Sequence, residues 1–81
     1  MKLQGTGFYQ TLQCESGFKY NAYNPHSKEG SFGVAQFIPT TFMEYCKGSI
    51  GSTHDQLLCA AQMFKMGLMS QWDCYNLLYN N

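Results

Sequence analysis

Arginine is absent from this sequence of 81 residues, and charge of either sign is scarce: Lys+Arg is 5, Asp+Glu is 5, and the formal net charge is zero. Charged residues make up 12% of the chain, about half the usual share. With so little positive charge there is no basic stripe to meet phosphates, which excludes ordinary nucleic-acid binding. Electrostatic docking on anionic lipid is excluded for the same reason. No apolar run approaches the ~20 residues needed to span a bilayer, so no membrane insertion is expected. The first seven residues lack the apolar stretch of a signal peptide; an export signal is expected to lie outside this segment, or release to occur by another route. There is no repeat, no linker, no low-complexity stretch and no C-x-x-C motif. The length allows one small domain. Such a chain buries only roughly 60% of the surface its unfolded form exposes, so its core is marginal.

Hydrophobic residues are nevertheless 44% of the chain and aromatics 16%, a composition that folds rather than stays disordered. Four cysteines stand at positions 14, 46, 59 and 74, with no two close together. Zinc sites bring their ligands in tight pairs, so two disulfides are the better reading, and they would staple a marginal core. Three pairings are possible. Cys14–Cys74 with Cys46–Cys59 is preferred; in it a short Gly/Ser loop separates the end of one helix from the first turns of the next. The chain-entropy model gives about 4 kcal/mol for the long loop and about 3 kcal/mol for the short one. Disulfides imply an oxidising working compartment.

A first helix is predicted from Thr6 to Ser16, capped by Thr6 and stopped by Gly17, with Phe8, Leu12 and Glu15 near one face. Residues 18–33 are rich in turn formers, with a short hairpin or ordered loop around Lys28 to Ser31. Pro39 suits the first position of a second helix that runs to Cys46. A third helix begins near Ser52 or Thr53; Ser52 with Asp55, or Thr53 with Gln56, would form a capping box. Its buried stripe is expected at Leu57, Ala61, Phe64 and Leu68, and Gly67 lies near its end. Met63, Met66 and Met69 are expected to fill the core. A last short turn carries Trp72 to Tyr75, and Trp72 is expected in the core near Cys74.

The chemistry centres on Glu15. At the end of an amphipathic helix, beside a cysteine expected to be buried, its carboxyl loses water, which raises its pKa and keeps it protonated near neutral pH. A general acid needs that property; a capping or salt-bridging glutamate is the competing reading. The surrounding residues read Glu15-Ser16-x-Phe18-x-x-x-Ala22, then Gly30-Ser31-x-Gly33-Val34-x-Gln36, then Pro39-x-Thr41. This order resembles the signature of the lysozyme-like lytic transglycosylase domain: E-S-x-F-x-x-x-A, then G-A-x-G-L-M-Q, then P-x-T. The Cys14-Glu15-Ser16-Gly17 start, the Gln36-Phe37-x-Pro39-x-Thr41 centre and the Trp72-to-Cys74 end are also similar to the catalytic domain of resuscitation-promoting factors. In that family the cysteine before the catalytic glutamate pairs with one near the C-terminus, which here implies Cys14–Cys74. An aspartate about six residues before that glutamate is replaced here by Tyr9. The resemblances together span residues 8 to 75.

These resemblances imply a mainly α, small lysozyme-like domain with its cleft between the first helix and the central loop. They imply cleavage of the β-1,4 bond between N-acetylmuramic acid and N-acetylglucosamine in peptidoglycan. Glu15 would act first as acid and then as base, and the muramic acid 6-hydroxyl would be the nucleophile, giving a 1,6-anhydro product. Gln36 would anchor an N-acetyl or hydroxyl group, and Thr41 matches the family threonine. Asn24 or Ser27 is the candidate for a further polar contact, with Ser31 beside them. Tyr20, Tyr23, Phe37 and Tyr45 could line a sugar groove. Tyr75, followed by Asn76, is the nearest match to the Ala-Tyr-Asn motif of larger transglycosylases.

Two other readings remain open. A hydrolysing lysozyme would need a second carboxylate to activate water; Asp73 and Glu29 are the candidates. A secreted, disulfide-stapled binding module could keep the fold without turnover. No cofactor or metal is expected, because His26 and His54 have no cysteine or carboxylate at metal-ligand spacing. The expected partner is the glycan strand of peptidoglycan, met by a monomer in an extracellular, periplasmic or phage-associated setting.

Overall fold

The computed structural model describes residues 6–26 and 28–79. The chain folds in the order α1 (Phe8–Ser16), β1 (Tyr23–Asn24), β2 (Ser31–Phe32), α2 (Pro39–Tyr45), α3 (Thr53–Lys65), a 3-10 turn (Met69–Gln71) and α4 (Asp73–Tyr79). It is therefore mainly α with one two-stranded antiparallel hairpin, in which Tyr23 pairs with Phe32 and Asn24 with Ser31. Both expected disulfides are present, Cys14–Cys74 and Cys46–Cys59, with Cα separations of 5.9 and 5.5 Å. Among the described residues no helix is long and apolar enough to cross a membrane.

Helix ends follow local chemistry. Helix α1 starts at Phe8, two residues later than expected, because Gly7 turns left-handed (φ 84°). Thr6 still serves the helix start, its hydroxyl accepting from the Phe8 N–H at 3.3 Å. Gly17 stops α1 in a left-handed conformation and donates its N–H to Gln13. Pro39 opens α2, as expected. For α3, Ser52 is the cap and accepts from the Asp55 N–H at 3.1 Å. The Asp55 carboxylate, however, reaches back to the Ser49 N–H at 3.0 Å, and the Ser52 N–H donates to the Ser49 carbonyl at 3.0 Å instead of closing a capping box.

The buried face of α3 is rotated from the expected stripe. Gln56, Cys59, Ala60, Met63 and Phe64 are buried, whereas Leu57, Ala61 and Leu68 only flank the core. Two constraints set this rotation: Cys59 must face Cys46, and Gln56 must reach the centre of the molecule. Of the three methionines expected inside, Met63 is buried and Met69 flanks the core, but Met66 is exposed. Trp72 is buried as expected, its ring centroid 5.6 Å from that of Phe37 and 5.2 Å from that of Phe64. Phe8 meets Phe64 edge to face at 5.1 Å, a geometry aromatic quadrupoles favour.

At the middle of this core lies a turn rather than a helix or strand. Phe32 and Phe37 exchange both backbone hydrogen bonds, at 2.9 and 3.0 Å, and close a four-residue loop. Val34, Ala35 and Gln36 within it are buried. Loops normally stay at the surface because their backbone groups need water. Here side chains replace the water. Gln56 accepts from the Ala35 N–H at 3.0 Å and donates to the carbonyls of Phe32 at 2.9 Å and Ile50 at 2.7 Å. Trp72 Nε1 donates to the Ala35 carbonyl at 2.8 Å, and Ser16 Oγ to the Val34 carbonyl at 2.6 Å. Gly33, at φ 82°, has no room for a Cβ because the Gln56 amide fills that space.

Replacing Gln56 by Leu should leave the Ala35 N–H and the Ile50 carbonyl without their partner. At about 1–3 kcal/mol for each unsatisfied buried group, the loss should be about 3 kcal/mol, or roughly 15 °C in melting temperature for a domain of this size. Urea unfolding with the disulfides intact measures it; a loss below about 1 kcal/mol would contradict the role given to Gln56.

Candidate active site around Glu15

Glu15 is the penultimate residue of α1, and three features fix it. The left-handed Gly17 ends the helix just after it. Ser16 binds the Val34 carbonyl and accepts from the Phe18 N–H at 3.1 Å, which ties the helix end to the buried turn. The Cys14–Cys74 disulfide holds α4 against α1. The Cys74 N–H then donates to Glu15 Oε2 at 3.0 Å across 59 positions of sequence.

The carboxyl opens into a cleft of about 180 Å³. One wall is the hairpin, through Asn24 and Ser31. The lining continues along the central turn, through Gln36 and Phe37, to Thr41 in the first turn of α2. Gln71, Trp72 and, at the start of α4, Asp73 complete it. Six of the residues expected at a substrate site thus come together: Glu15, Asn24, Ser31, Gln36, Phe37 and Thr41. Gln36 is also structural, its amide nitrogen donating to the carbonyls of Ala22 at 3.1 Å and Gly33 at 2.9 Å. Its own backbone is left-handed, at φ 51°. Phe37 is almost wholly buried, since its ring packs in the core against Phe42 and Trp72.

Other expected residues lie elsewhere. Tyr20 and Tyr23 line a separate groove on the other side of the hairpin. Tyr75 points into the aromatic cluster, 5.7 Å from Phe64 and 5.0 Å from Tyr79, because α4 turns it away from the cleft. Tyr45 is exposed at the end of α2 and lines neither cavity. Ser27 is outside the described residues. Glu29 is engaged otherwise: its carboxylate oxygens lie 2.6 Å from the Thr40 hydroxyl, and one accepts from the Thr40 N–H at 3.3 Å. It therefore caps the N-terminus of α2, where a negative charge is favoured. Asp73 is the remaining second carboxylate in the cleft.

Sequence reasoning missed His26, Ile38 and Gln71 as lining residues. His26 carried a usable signal, since Asn24-Pro25-His26 is a turn sequence, and the Asn24 side chain accepts from the His26 N–H at 2.9 Å. Gln71 sits in a 3-10 turn that has no periodic signature. Among the described residues no three His, Cys, Asp or Glu gather at metal-binding distance.

The electrostatics shift Glu15 toward its neutral form. Burial raises its pKa above the ordinary value near 4.5; the Cys74 N–H pulls the other way, and the Asp73 charge adds a smaller upward push. Among the described residues no cation forms an ion pair with it. The arrangement places a carboxyl of raised pKa in a cleft that also carries Asn24, Ser31, Gln36, Thr41 and Gln71.

A carboxyl whose pKa is higher in the folded state binds its proton more tightly there. That contribution to stability is present at low pH and is lost as pH rises from near 4.5 through the folded value. Glu15→Gln keeps an oxygen for the Cys74 N–H and removes the buried charge. It should be at least as stable as the parent at pH 7, and the difference should vanish at pH 4. Melting curves across this range check it; a variant clearly less stable at pH 7 would show that the charge is well solvated.

No protein-family model, no curated protein and no solved structure matches the chain.

Proposed function

We propose that the protein is a peptidoglycan-cleaving enzyme, a lytic transglycosylase of lysozyme-like architecture, with Glu15 as its acid and base. The observation that carries this reading is a half-buried carboxyl of raised pKa facing a cleft that also holds Gln36 and Thr41. These are the residues on which the sequence resemblance rests.

In this mechanism neutral Glu15 protonates the glycosidic oxygen between N-acetylmuramic acid and N-acetylglucosamine as positive charge builds at C1. The proton leaves Glu15, the C1–O bond breaks, and the electron pair departs with the leaving sugar. The carboxylate formed keeps the Cys74 N–H as a partner, which limits the cost of its charge. It then takes the proton of the muramic acid 6-hydroxyl as that oxygen closes on C1. No protein nucleophile and no water is consumed. Asn24, Ser31 and Gln71 supply polar atoms along the walls for sugar hydroxyl and N-acetyl groups. The protein acts as a monomer on glycan strands, in an extracellular, periplasmic or phage-associated setting that agrees with two disulfides.

A hydrolysing lysozyme is the second reading, and one observation favours it: Asp73 shares the cleft with Glu15 and acts on its pKa.

Glu15→Gln should lower cleavage of purified peptidoglycan by about 10³-fold or more, because one residue supplies both proton transfers. Full activity in this variant would end the assignment. Mass spectrometry of the released muropeptides should find anhydro products, one water lighter than hydrolysed ones. Reducing-end muramic acid alone would establish the lysozyme instead.

Asp73→Asn separates the readings a second way. Transglycosylation should persist within about tenfold, whereas a hydrolase relying on Asp73 should lose activity by several orders of magnitude. Activity requires protonated Glu15 and falls as pH rises through its pKa. Removing the Asp73 charge takes away an upward push, so this falling limb should move to lower pH in the variant. A limb that stays in place would show that Glu15 does not set it.

A further inference from the structure

The hairpin separates two cavities. Successive residues of a strand face opposite sides, and the pairing of Asn24 with Ser31 puts polar groups on the Glu15 side. The neighbouring pair, Tyr23 with Phe32, lines a second groove of about 360 Å³ together with Tyr20, Asn21, Ile50 and Thr53.

This groove has the features of a platform. Tyr20 is 71% exposed, Tyr23 58% and Phe32 37%, so three aromatic rings lie open to solvent in one place. The Tyr23 and Phe32 rings are held 5.0 Å apart at a 37° tilt. Tyr23 is further fixed by Gly30, which is left-handed at φ 83° and whose missing Cβ would meet the Tyr23 ring at 2.8 Å. Beneath them, Gln56 holds the backbone at Phe32 and Ile50. The Tyr23 and Phe32 part of the platform is therefore preorganised, and little ordering of it is needed when a ligand arrives. None of the residues lining it is Asp, Glu, Lys, Arg or His. Open aromatic faces, phenol hydroxyls and the Asn21 amide, with no charge, match a neutral ring that has apolar faces and polar edges. An N-acetylated pyranose is such a ring. A charged peptide or a phosphate finds no partner here.

We propose that this groove is a second carbohydrate site, which takes N-acetylated sugar rings of the glycan polymer and holds the protein on it. The choice of ligand rests on the function proposed above: the two cavities use opposite faces of one hairpin, and the same polymer occupies both. The site would raise the local concentration of cleavable bonds around the cleft without taking part in the chemistry.

The test uses the full chain carrying Glu15→Gln, with N-acetylglucosamine trisaccharide as the soluble probe and purified peptidoglycan as the insoluble one. On ¹⁵N-labelled protein the trisaccharide should shift the amides of Asn21, Phe32, Ile50 and Thr53. Shifts confined to the Glu15 cleft, or none, would overturn the proposal. Tyr20→Ala should weaken co-sedimentation with peptidoglycan about fivefold, from a loss of about 1 kcal/mol of ring contact. Tyr20→Phe should retain it, since the face remains. Tyr20 is largely exposed, so its removal leaves the core in place, and unchanged melting of the alanine variant verifies this. Equal binding by the alanine variant would refute the site. Binding needs no turnover, so the two readings fail separately. A chain that cleaves nothing but binds through Tyr20 upholds this site and removes the role of Glu15; a chain that cleaves normally with a silent groove does the reverse.

Discussion

A turn buried at the centre of a small domain creates demands that no helix or strand ladder meets. The loop from Gly33 to Gln36 carries backbone donors and acceptors into the core, and water cannot follow. Ser16 of α1, Gln56 of α3 and Trp72 before α4 each extend a side chain to satisfy one or more of these groups. Because the three come from different elements, the turn is the point at which those elements register against one another. Displacing any one of them by more than about an ångström would leave a buried polar group unpaired. The marginal hydrophobic core expected for this length is thereby joined to a directional network that admits one arrangement.

Glu15 inherits its position from that network. Ser16, its neighbour, is anchored to the turn, and Cys14, on its other side, is bonded to α4. The carboxyl is consequently held where two opposed effects act on it. Loss of water favours the neutral form; the Cys74 N–H favours the charged one. The first prevails, because one donor does not replace the several water contacts of a free carboxylate. A group balanced in this way can give up a proton and take it back, as an acid that later serves as base must do.

Much of this was legible in the sequence because local chemistry determined it. Gly17, Pro39, Ser52 and Gly67 are punctuation whose meaning depends on one or two neighbours, and each lies at or next to the end of a helix. The disulfide pairing agreed with the expected helix ends. Five candidate cleft residues, Asn24, Ser31, Gln36, Phe37 and Thr41, converged beside Glu15 because they come from one short stretch whose backbone is tightly folded. The errors arose where tertiary contacts overrode periodicity. Gln56 looked like a capping residue and became the central clamp, which turned the whole face of α3. Met66 fell on the solvent side of the same rotation. Tyr23 and Tyr75 are aromatic, and composition cannot say which face of a two-residue strand or a seven-residue helix they join. The lysozyme-like architecture remains a reading of motif and cleft, and the helix order and hairpin are compatible with it.

The disulfide between Cys14 and Cys74 spans 60 positions of the chain, so most of the backbone lies inside one covalent ring. A single peptide-bond cut anywhere in that interval, including one between the exposed Lys28 and Glu29, cannot separate the two pieces. The fragment with Glu15 stays bonded to the fragment with the Cys74 N–H that faces it. Between Cys46 and Cys59 a second crosslink secures the nicked ends in the same way. In surroundings rich in proteases, a severed molecule would keep both halves of its cleft on one covalent body, and its persistence would depend on the sulfur bonds rather than on an intact main chain.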